Sequence, residues 1–430
     1  MIHLHRFFIA SLFLLTNGLA FAQDYTLAEV IKAATATNPI RKADEFREIA
    51  AEKSVDVARS SYYPQITGMG IATNGFPGSS GALGIGGISG SSYRSGPSVG
   101  ILLEQNIWDF GQTANKVEAA KRFVDIAQKL SKETQLQVSA SAIDIFFVCS
   151  RDRSLAELSK KISDEAAQIE TEVNKYVNTG QDSIVGKYLS KIQTEEALTN
   201  AKVFLQRYQL DLDDIHFLVG EKDLTMTCPL LTSSLIDTES AKKSSDLSNN
   251  PELRFTIAEL DLAHAELKVA ESKYYPQILA LASAGYIRKT QLNEIERKQY
   301  AVAIGFTMPI FDGFSKSSEV AATRARQDQK ENEVAAKKFE LERSVKLLDK
   351  NIASLQLEIK QLEANAKTSN EAFTLARKRY LDRMGNLTDL REAIRADSQI
   401  QIHLKESEAS LARNLANKDL LLGLYSTSTN

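Results

Sequence analysis

The side chains that could carry catalytic or metal chemistry in this chain are few and stand apart from one another. Outside the first 22 residues there are three histidines, His216, His264 and His403, and none belongs to an HExxH motif or a nucleophile elbow. The two cysteines are too far apart for a CxxC metal or redox motif. We therefore expect no enzyme activity, no metal site and no cofactor, with the histidines on helix surfaces or seams.

The N-terminal segment is typical of a secretory signal peptide. Arg6 precedes an apolar run from Phe7 to Leu15, and an Ala-x-Ala cleavage site lies at residues 20–22. The run is too short to span a bilayer as a stop-transfer helix, which favours a signal peptide; the alternative is an N-terminal core helix. Removal of the signal leaves 51 basic against 55 acidic residues, a net charge of −4. This acidic balance argues against a nucleic acid partner.

The rest of the sequence contains an internal repeat. Residues 57–66 recur as residues 269–278 with eight of ten positions identical. Asn38-Pro39 and Asn250-Pro251 lie at the same distance before the proline of each copy, 25 residues. Each Asn-Pro predicts a helix start and each Tyr-Tyr-Pro a helix end, so each repeat contains a helix of about 22 residues. The predicted division is a signal peptide at 1–22, a first repeat at 23–217, a linker at 218–248 and a second repeat at 249–430.

Each repeat continues into a predicted β-hairpin. In the first, eleven of the chain's 21 glycines lie between Gly68 and Gly100, which indicates a flexible loop. The counterpart loop, Arg288–Gln299, is shorter and charged. The predicted flanking strands are Gln65–Phe76, Ser98–Asn106, Gln277–Tyr286 and a last strand from Tyr300 to Met308.

The last strand shows the clearest alternation. Large apolar residues occupy one face, and small or polar residues occupy the other: Tyr300, Val302, Ile304, Phe306 and Met308 against Ala301, Ala303, Gly305 and Thr307. This pattern is typical of a barrel strand that faces lipid on one side and water on the other. An ordinary half-buried sheet would give the same alternation. After the signal, no apolar run reaches the roughly 18 residues of a membrane helix, so any membrane crossing must use strands.

Two long segments without proline, 98–228 and 310–430, are predicted to be almost entirely helical. Apolar residues from Leu341 to Ala376 keep a 4-3 spacing, which predicts a left-handed coiled coil. Gly180 interrupts the first segment and Gly385 the second, about 70 residues after each hairpin. At 1.5 Å per residue, each descending helix would be roughly 100 Å long.

The chain resembles the TolC outer-membrane efflux family in several features together. They are the signal, the duplication, the Tyr-Tyr-Pro-Gln helix ends, the Trp-Asp-Phe-Gly and Phe-Asp-Gly hairpin ends and the long helices. The resemblance covers residues 25–425. It implies a mainly α fold with β: a homotrimer in which four strands per chain build a 12-stranded transmembrane β-barrel and the helices build a coiled-coil tunnel that reaches into the periplasm.

The resemblance also implies a function. The chain would be the passive exit duct of a tripartite export system in the outer membrane, in contact with outer-membrane lipid. Its partners would be a periplasmic membrane-fusion adaptor and an inner-membrane pump, either an ABC exporter or a proton-driven pump. The cargo would be a secreted protein, as in type I secretion, or small molecules. The alternative from another class is a periplasmic coiled-coil adaptor or interaction protein that never enters a membrane.

At the periplasmic tip, the family has a tyrosine followed nine and twelve residues later by acids that ring the aperture. Tyr380, Asp389 and Glu392 match this spacing, so three chains would place six carboxylates around one axis and favour cations. The alternative is two acids on a solvated helix face.

The chain departs from the family pattern around this site. Gly385 occupies the place of the gating arginine in TolC, and Val185 replaces an aspartate nine residues after Tyr176. The gate candidates are therefore Tyr380 and Tyr176, together with Arg383 and Asp182 as candidate substitutes for the residues that lock the tip.

The cysteines are a candidate disulfide. Cys149 lies 31 residues before Gly180, and the next helix ends near Gly220, 40 residues after that glycine, with Cys228 following in the linker. The two cysteines therefore fall at similar heights. An oxidising exported compartment favours a bridge, and the alternative is a buried free Cys149 in a helix seam.

Overall fold

The computed structural model describes residues 24–73, 96–220, 227–232, 246–289 and 295–424. The predicted signal peptide, the middle of the glycine-rich loop, most of the predicted linker and the centre of the second loop lie outside these residues. The elements are, in chain order, α1 (Leu27–Thr37), α2 (Pro39–Arg59), β1 (Gln65–Thr73), β2 (Gly96–Trp108), α3 (Gln112–Asn178), α4 (Ile184–Val219), α5 (Pro251–Ser272), β3 (Gln277–Lys289), β4 (Ile295–Thr307), α6 (Ser315–Leu381) and α7 (Leu387–Leu421).

The structure confirms the predicted helix starts and ends. The Asn38 side chain accepts a hydrogen bond from the Ile40 amide, and the Asn250 side chain accepts one from the Leu253 amide, each at 2.9 Å. A proline opens each helix, since its missing N–H costs nothing in the first turn. The helices, α2 with 21 residues and α5 with 22, end just before the two Tyr-Tyr-Pro segments.

The duplication extends through the long helices. α3 and α6 have 67 residues each, and both their starts and their ends are separated by 203 positions in the sequence. The starts of α4 and α7 are separated by the same 203 positions. The absence of proline predicted these long helices correctly. Among the helices that the structure describes, none has a long enough apolar stretch to cross a bilayer.

The four strands form one antiparallel sheet in the order β1-β2-β3-β4. A β-bulge shifts the β2–β3 register between Asn106 and Trp108. The second hairpin is longer than predicted, because strand pairing continues from Arg288 opposite Glu296 to Lys289 opposite Ile295. The charged residue types at these positions predict a loop, but strand pairing uses backbone groups and is compatible with charged residues.

The described residues fall into two contact units. The hairpin unit takes residues up to 34 together with 142–236 and 357–412, and the sheet unit takes 35–141, 237–356 and the residues from 413 onward. An apolar cluster of Leu247, Leu253, Leu341, Val345 and Leu422 stabilises the sheet unit below the strands. The predicted repeat boundaries at 217 and 249 stay predictions.

Candidate tip and membrane sites

One face of the sheet is largely apolar, and the other, here called the polar face, carries polar residues together with leucines. Val302 pairs with Ala282, which pairs with Leu103, which pairs with Ile66, and residues directly opposite one another share a face. This face is exposed, with Val302 85% and Ile66 67% accessible. The next row pairs Ala303, Leu281, Glu104 and Gln65 on the other face. The alternation predicted for β4 therefore continues in β2, where Ile101 and Leu103 share the apolar face, but not in β3, where Leu279 and Leu281 lie opposite Gly305 and Ala303.

Exposed aromatic side chains flank one end of the sheet. β1 and β3 begin at this end, and β2 and β4 finish there, because the strands are antiparallel. Trp108 lies edge-on to Phe110 at 6.0 Å, and Phe110 stacks on Tyr275 at 6.1 Å between ring centroids. We call the full set the aromatic belt: Tyr62, Tyr63, Trp108, Phe110, Tyr274, Tyr275, Phe311 and Phe314. Such belts are typical of the level where a membrane protein crosses from lipid to water.

In the hairpin unit, the α3–α4 and α6–α7 turns have the same backbone geometry. The Gly180 amide donates to the Val177 carbonyl at 3.0 Å, and the Arg383 amide donates to the Tyr380 carbonyl at 3.1 Å. Gly180 has φ 71° and Arg383 has φ 63°, so each is the left-handed residue that ends its helix. The two turns are therefore equivalent at the separation of 203 positions.

This equivalence corrects the sequence analysis at one position. The sequence predicts the interruption of the second helical segment at Gly385, two places after the usual glycine of the family, but the left-handed residue of the second turn is Arg383. Gly385 instead lies at a close approach, where an added Cβ would be 3.1 Å from the Arg379 Cβ. By the same count, Tyr380 corresponds to Val177, whereas it was compared with Tyr176. The end of α6 is set by the left-handed conformation of Arg383, and the position of Gly385 in the sequence does not indicate which residue adopts that conformation.

The four gate candidates lie together between the two turns. The Tyr380 hydroxyl donates to Asp182 Oδ2 at 2.7 Å, and the Tyr176 hydroxyl donates to the Leu381 carbonyl at 3.1 Å. The two tyrosine rings meet edge to face at 5.7 Å. The Arg383 guanidinium lies over the Tyr176 ring, 5.5 Å from its centroid. Asp182 and Arg383, the substitutes named from the sequence, thus both contact a tyrosine.

The Tyr380 ring, whose hydroxyl bonds to Asp182, packs in an apolar cluster. Tyr380 is 5% exposed and packs with Val173, Leu387 and Leu390. Burial, and then the hydrogen bond to the Asp182 carboxylate, raise the pKa of Tyr380 above its ordinary value. The phenol therefore stays protonated and remains a donor to Asp182 over the whole physiological pH range.

Asp389 and Glu392 lie on the first turns of α7 and are exposed. The Asn386 side chain caps this helix and accepts from the Asp389 amide at 2.7 Å. The face of α7 opposite the two acids carries Leu387 and Leu390, which are buried in the cluster with Tyr380. The acids do not join the tyrosine contacts, and their role at an aperture stays a prediction.

Arg377 belongs to the same region and was missed by the sequence analysis. Its guanidinium reaches from α6 to α3, where it lies 3.7 Å from Glu172 Oε1 and 3.4 Å from Gln168 Oε1. Charges of opposite sign at these positions are the only sequence signal, and they do not reveal which helices are neighbours. The pair adds a polar contact between the hairpins above the tyrosines.

The cysteines are joined. Cys149 on α3 and Cys228 in segment 227–232 form a disulfide with their Cα atoms 6.0 Å apart. The histidines have dispersed structural positions: His216 is buried against Tyr25, His403 Nε2 lies 3.1 Å from Glu358 Oε1, and His264 is exposed. Within the described residues, no three candidate ligands gather into a metal site.

A family model described as outer membrane efflux protein matches residues 30–211 and 244–424. The chain belongs to this family. Its location is the outer membrane, and it is an outer-membrane efflux channel. The alternative of a periplasmic coiled-coil adaptor or interaction protein outside the membrane is not favoured.

Known relatives of this efflux protein agree with the assignment. Outer membrane efflux protein BepC of Brucella suis biovar 1 is 23% identical over 330 residues, which are 74% of this chain and 68% of BepC. The crystal structure of CusC superposes with a TM-score of 0.77 at 14% identity, covering 94% of this chain and 93% of CusC. The crystal structure of the outer membrane protein VceC from Vibrio cholerae superposes with a TM-score of 0.75 at 16% identity, covering 92% of this chain and 96% of VceC. The predicted fold class is confirmed.

Proposed function

We propose that three copies of this chain form a channel-tunnel that serves as the passive exit duct of a tripartite export system. The observation that carries the proposal is the four-stranded sheet, which combines an exposed apolar face with an aromatic belt at one end. A sheet of this composition is stable where lipid covers the apolar face. The polar face, with Glu104 and Gln65, would then line a water-filled lumen.

The sheet also has two edges, β1 and β4, that pair with no other strand among the described residues. Unpaired edges in a membrane leave backbone groups without partners, at a cost of several kcal/mol each. Four strands are too few to close a barrel, since the smallest transmembrane barrels have about eight strands. Pairing of β4 with β1 of the next copy closes the sheet at twelve strands and leaves an open lumen.

At the tip, the Tyr380–Asp182 and Tyr176–Leu381 hydrogen bonds are the proposed lock of the closed state. They join the two hairpins of one chain, so opening must break them or move both hairpins together. Asp389 and Glu392, exposed near this lock, would supply the carboxylates of a cation-selective entrance.

The duct itself would be energy-independent, so transport requires partners. We propose a periplasmic membrane-fusion adaptor at the tip and an inner-membrane pump that is ABC-type or proton-driven. Ile184, Val185, Tyr188 and Ile192 support an adaptor contact, because these large apolar side chains are exposed together where α4 leaves the tip.

For the cargo, we propose small molecules, because both the family and BepC are described as efflux proteins. Purification of the channel with its adaptor and pump tests this proposal. A proton-driven pump, or an ABC pump whose deletion raises drug sensitivity, supports it. A dedicated ABC exporter whose deletion abolishes secretion of one protein would instead assign type I secretion.

The barrel is tested with a matched pair of variants. Val302→Lys places a charge on the apolar face, where a midplane lysine costs about 2–4 kcal/mol, and Ala303→Lys places the same charge on the polar face. We expect the wild type and Ala303→Lys to give detergent-stable trimers with heat-modifiable gel migration, and Val302→Lys to lose them. A monomeric wild type, or an equal effect of the two variants, would contradict the proposal.

A further inference from the structure

The base of the first hairpin, formed by α3 and α4, is closed by a covalent bond. Cys149 lies on α3 and Cys228 follows α4, so the disulfide spans 79 residues that include the whole α3–α4 turn. Both cysteines are fully buried. The bond therefore ties the segment after α4 back onto the side of α3.

Hydrogen bonds surround this disulfide and add a third segment of chain. The Arg153 guanidinium, one turn along α3 from Cys149, donates to Asp24 Oδ1, to Thr227 Oγ1 and to the Cys228 carbonyl. The Thr227 hydroxyl also donates to Asp24, at 2.7 Å, and the Tyr25 amide donates to the Thr227 carbonyl at 2.9 Å. The segment that begins at Asp24 is thus fastened to the same point.

A further hydrogen bond joins the segment after α4 to α3 next to Arg153. The Leu231 amide donates to the Ser154 hydroxyl at 2.9 Å, and the Leu231 side chain is buried. We call the disulfide, the Arg153 hydrogen bonds and the Ser154–Leu231 hydrogen bond together the base anchor.

The second hairpin cannot form an equivalent anchor. At the separation of 203 positions, Ile352, Gln356 and Leu357 stand where Cys149, Arg153 and Ser154 stand in the first repeat. None of these three side chains can form a disulfide or carry the positive charge of Arg153. At a similar level, the second hairpin has Glu358, which accepts from Ser407 at 3.0 Å and pairs with exposed His403.

We infer that the base anchor makes the two duplicated hairpins unequal in stability. A covalent tie restricts the open states available to the segment that it encloses, whereas an exposed His–Glu pair contributes little. Local opening in the hairpin unit therefore occurs in α6–α7 before α3–α4, and the disulfide sets this order. The inference does not depend on the channel function, since it concerns one folded chain.

Hydrogen exchange of the detergent-solubilised protein tests the inference. Residues 154–163 of α3 are compared with their equivalents, residues 357–366 of α6. In the oxidised wild type, we expect slower exchange in the α3 segment. In Cys149→Ala/Cys228→Ala, exchange of this segment should rise on the order of tenfold, while the α6 segment changes little. Ile352→Val, at the position equivalent to Cys149, is the control and should leave the α3 segment unchanged.

Two results would overturn the inference: equal exchange of the two segments in the oxidised wild type, or an equal rise in both segments of the double variant. If the double variant does not fold, the wild type provides a second measurement. Because both sulfurs are buried, a phosphine reductant should release no thiol from the native protein within the time that it reduces the denatured protein. Rapid thiol release under native conditions would show that the base is open and contradict the anchor.

Discussion

The hydrogen bond between Tyr380 and Asp182 gives the sharpest test of the proposed lock. Tyr380→Phe removes the hydroxyl and keeps the ring that packs on Val173 and Leu390. Asp182 retains the hydrogen bond from the Ser183 amide at 2.6 Å and, being half-buried, gains access to water in place of the phenol. The variant therefore weakens the closed tip with little disturbance of the cluster beneath it.

The size of the effect follows from the charge on the acceptor. A hydrogen bond to a charged group contributes about 1.5–3 kcal/mol, and the partial exposure of Asp182 favours the lower end. Since about 1.4 kcal/mol corresponds to a factor of ten, each broken lock should raise the open-to-closed ratio of its protomer roughly tenfold. In a trimer, three locks break at once, so the effect on the whole aperture is larger than that on one protomer.

Conductance in planar bilayers measures this change. We expect Tyr380→Phe channels to spend more time at high conductance than the wild type at equal voltage and salt. Tyr188→Phe, which removes the hydroxyl of an exposed tyrosine on α4, is the matched control and should behave as the wild type. If Tyr380→Phe keeps the wild-type closed fraction while remaining trimeric, the lock assignment is wrong.

Three further predictions concern other parts of the hairpin unit. Asp389→Ala with Glu392→Ala should lower cation preference in reversal-potential measurements, and unchanged selectivity would remove these acids from the aperture. Arg383→Gly removes the strain of a left-handed non-glycine residue, about 1 kcal/mol, but also removes the guanidinium over the Tyr176 ring. The closed fraction of the channel should therefore fall while the melting temperature is unchanged. A lower melting temperature would contradict this. Burial, and then the neighbouring Asp152 carboxyl, raise the pKa of Asp211 to about 6. Because an unfolded aspartate titrates near pH 4, this group destabilises the fold as pH rises from about 4 to 6; Asp211→Asn should flatten the melting temperature over that window, and an unaltered pH profile would refute the assignment.

The elements that proline and asparagine delimit were predictable from the sequence. Asn38 and Asn250 begin helices because their side chains cap the first turn, and the period-two pattern from Tyr300 indicates a strand because successive side chains alternate between faces. These signals are local. Repetition of the signals at a separation of about 200 residues also predicted the duplication.

The tip was less predictable, because its contacts join residues about 200 positions apart. Asp182 and Arg383 were named as candidates, but the sequence does not show that Asp182 accepts from Tyr380 and that Arg383 covers Tyr176. Arg383 also occupies a left-handed position where a glycine is the usual signal. The nearby Gly385 therefore predicts the turn two residues too late. Packing between the hairpins decides these contacts, and no local pattern encodes it.

Single-channel recording of the purified wild-type trimer in a planar bilayer tests whether this chain forms a channel. We expect discrete conductance steps from a detergent-stable trimer. The steps should be lost in Val302→Lys, whose charge lies on the apolar face, and kept in Ala303→Lys. A folded protein that inserts no conducting unit, or that runs as a monomer and leaves the bilayer intact, would contradict it.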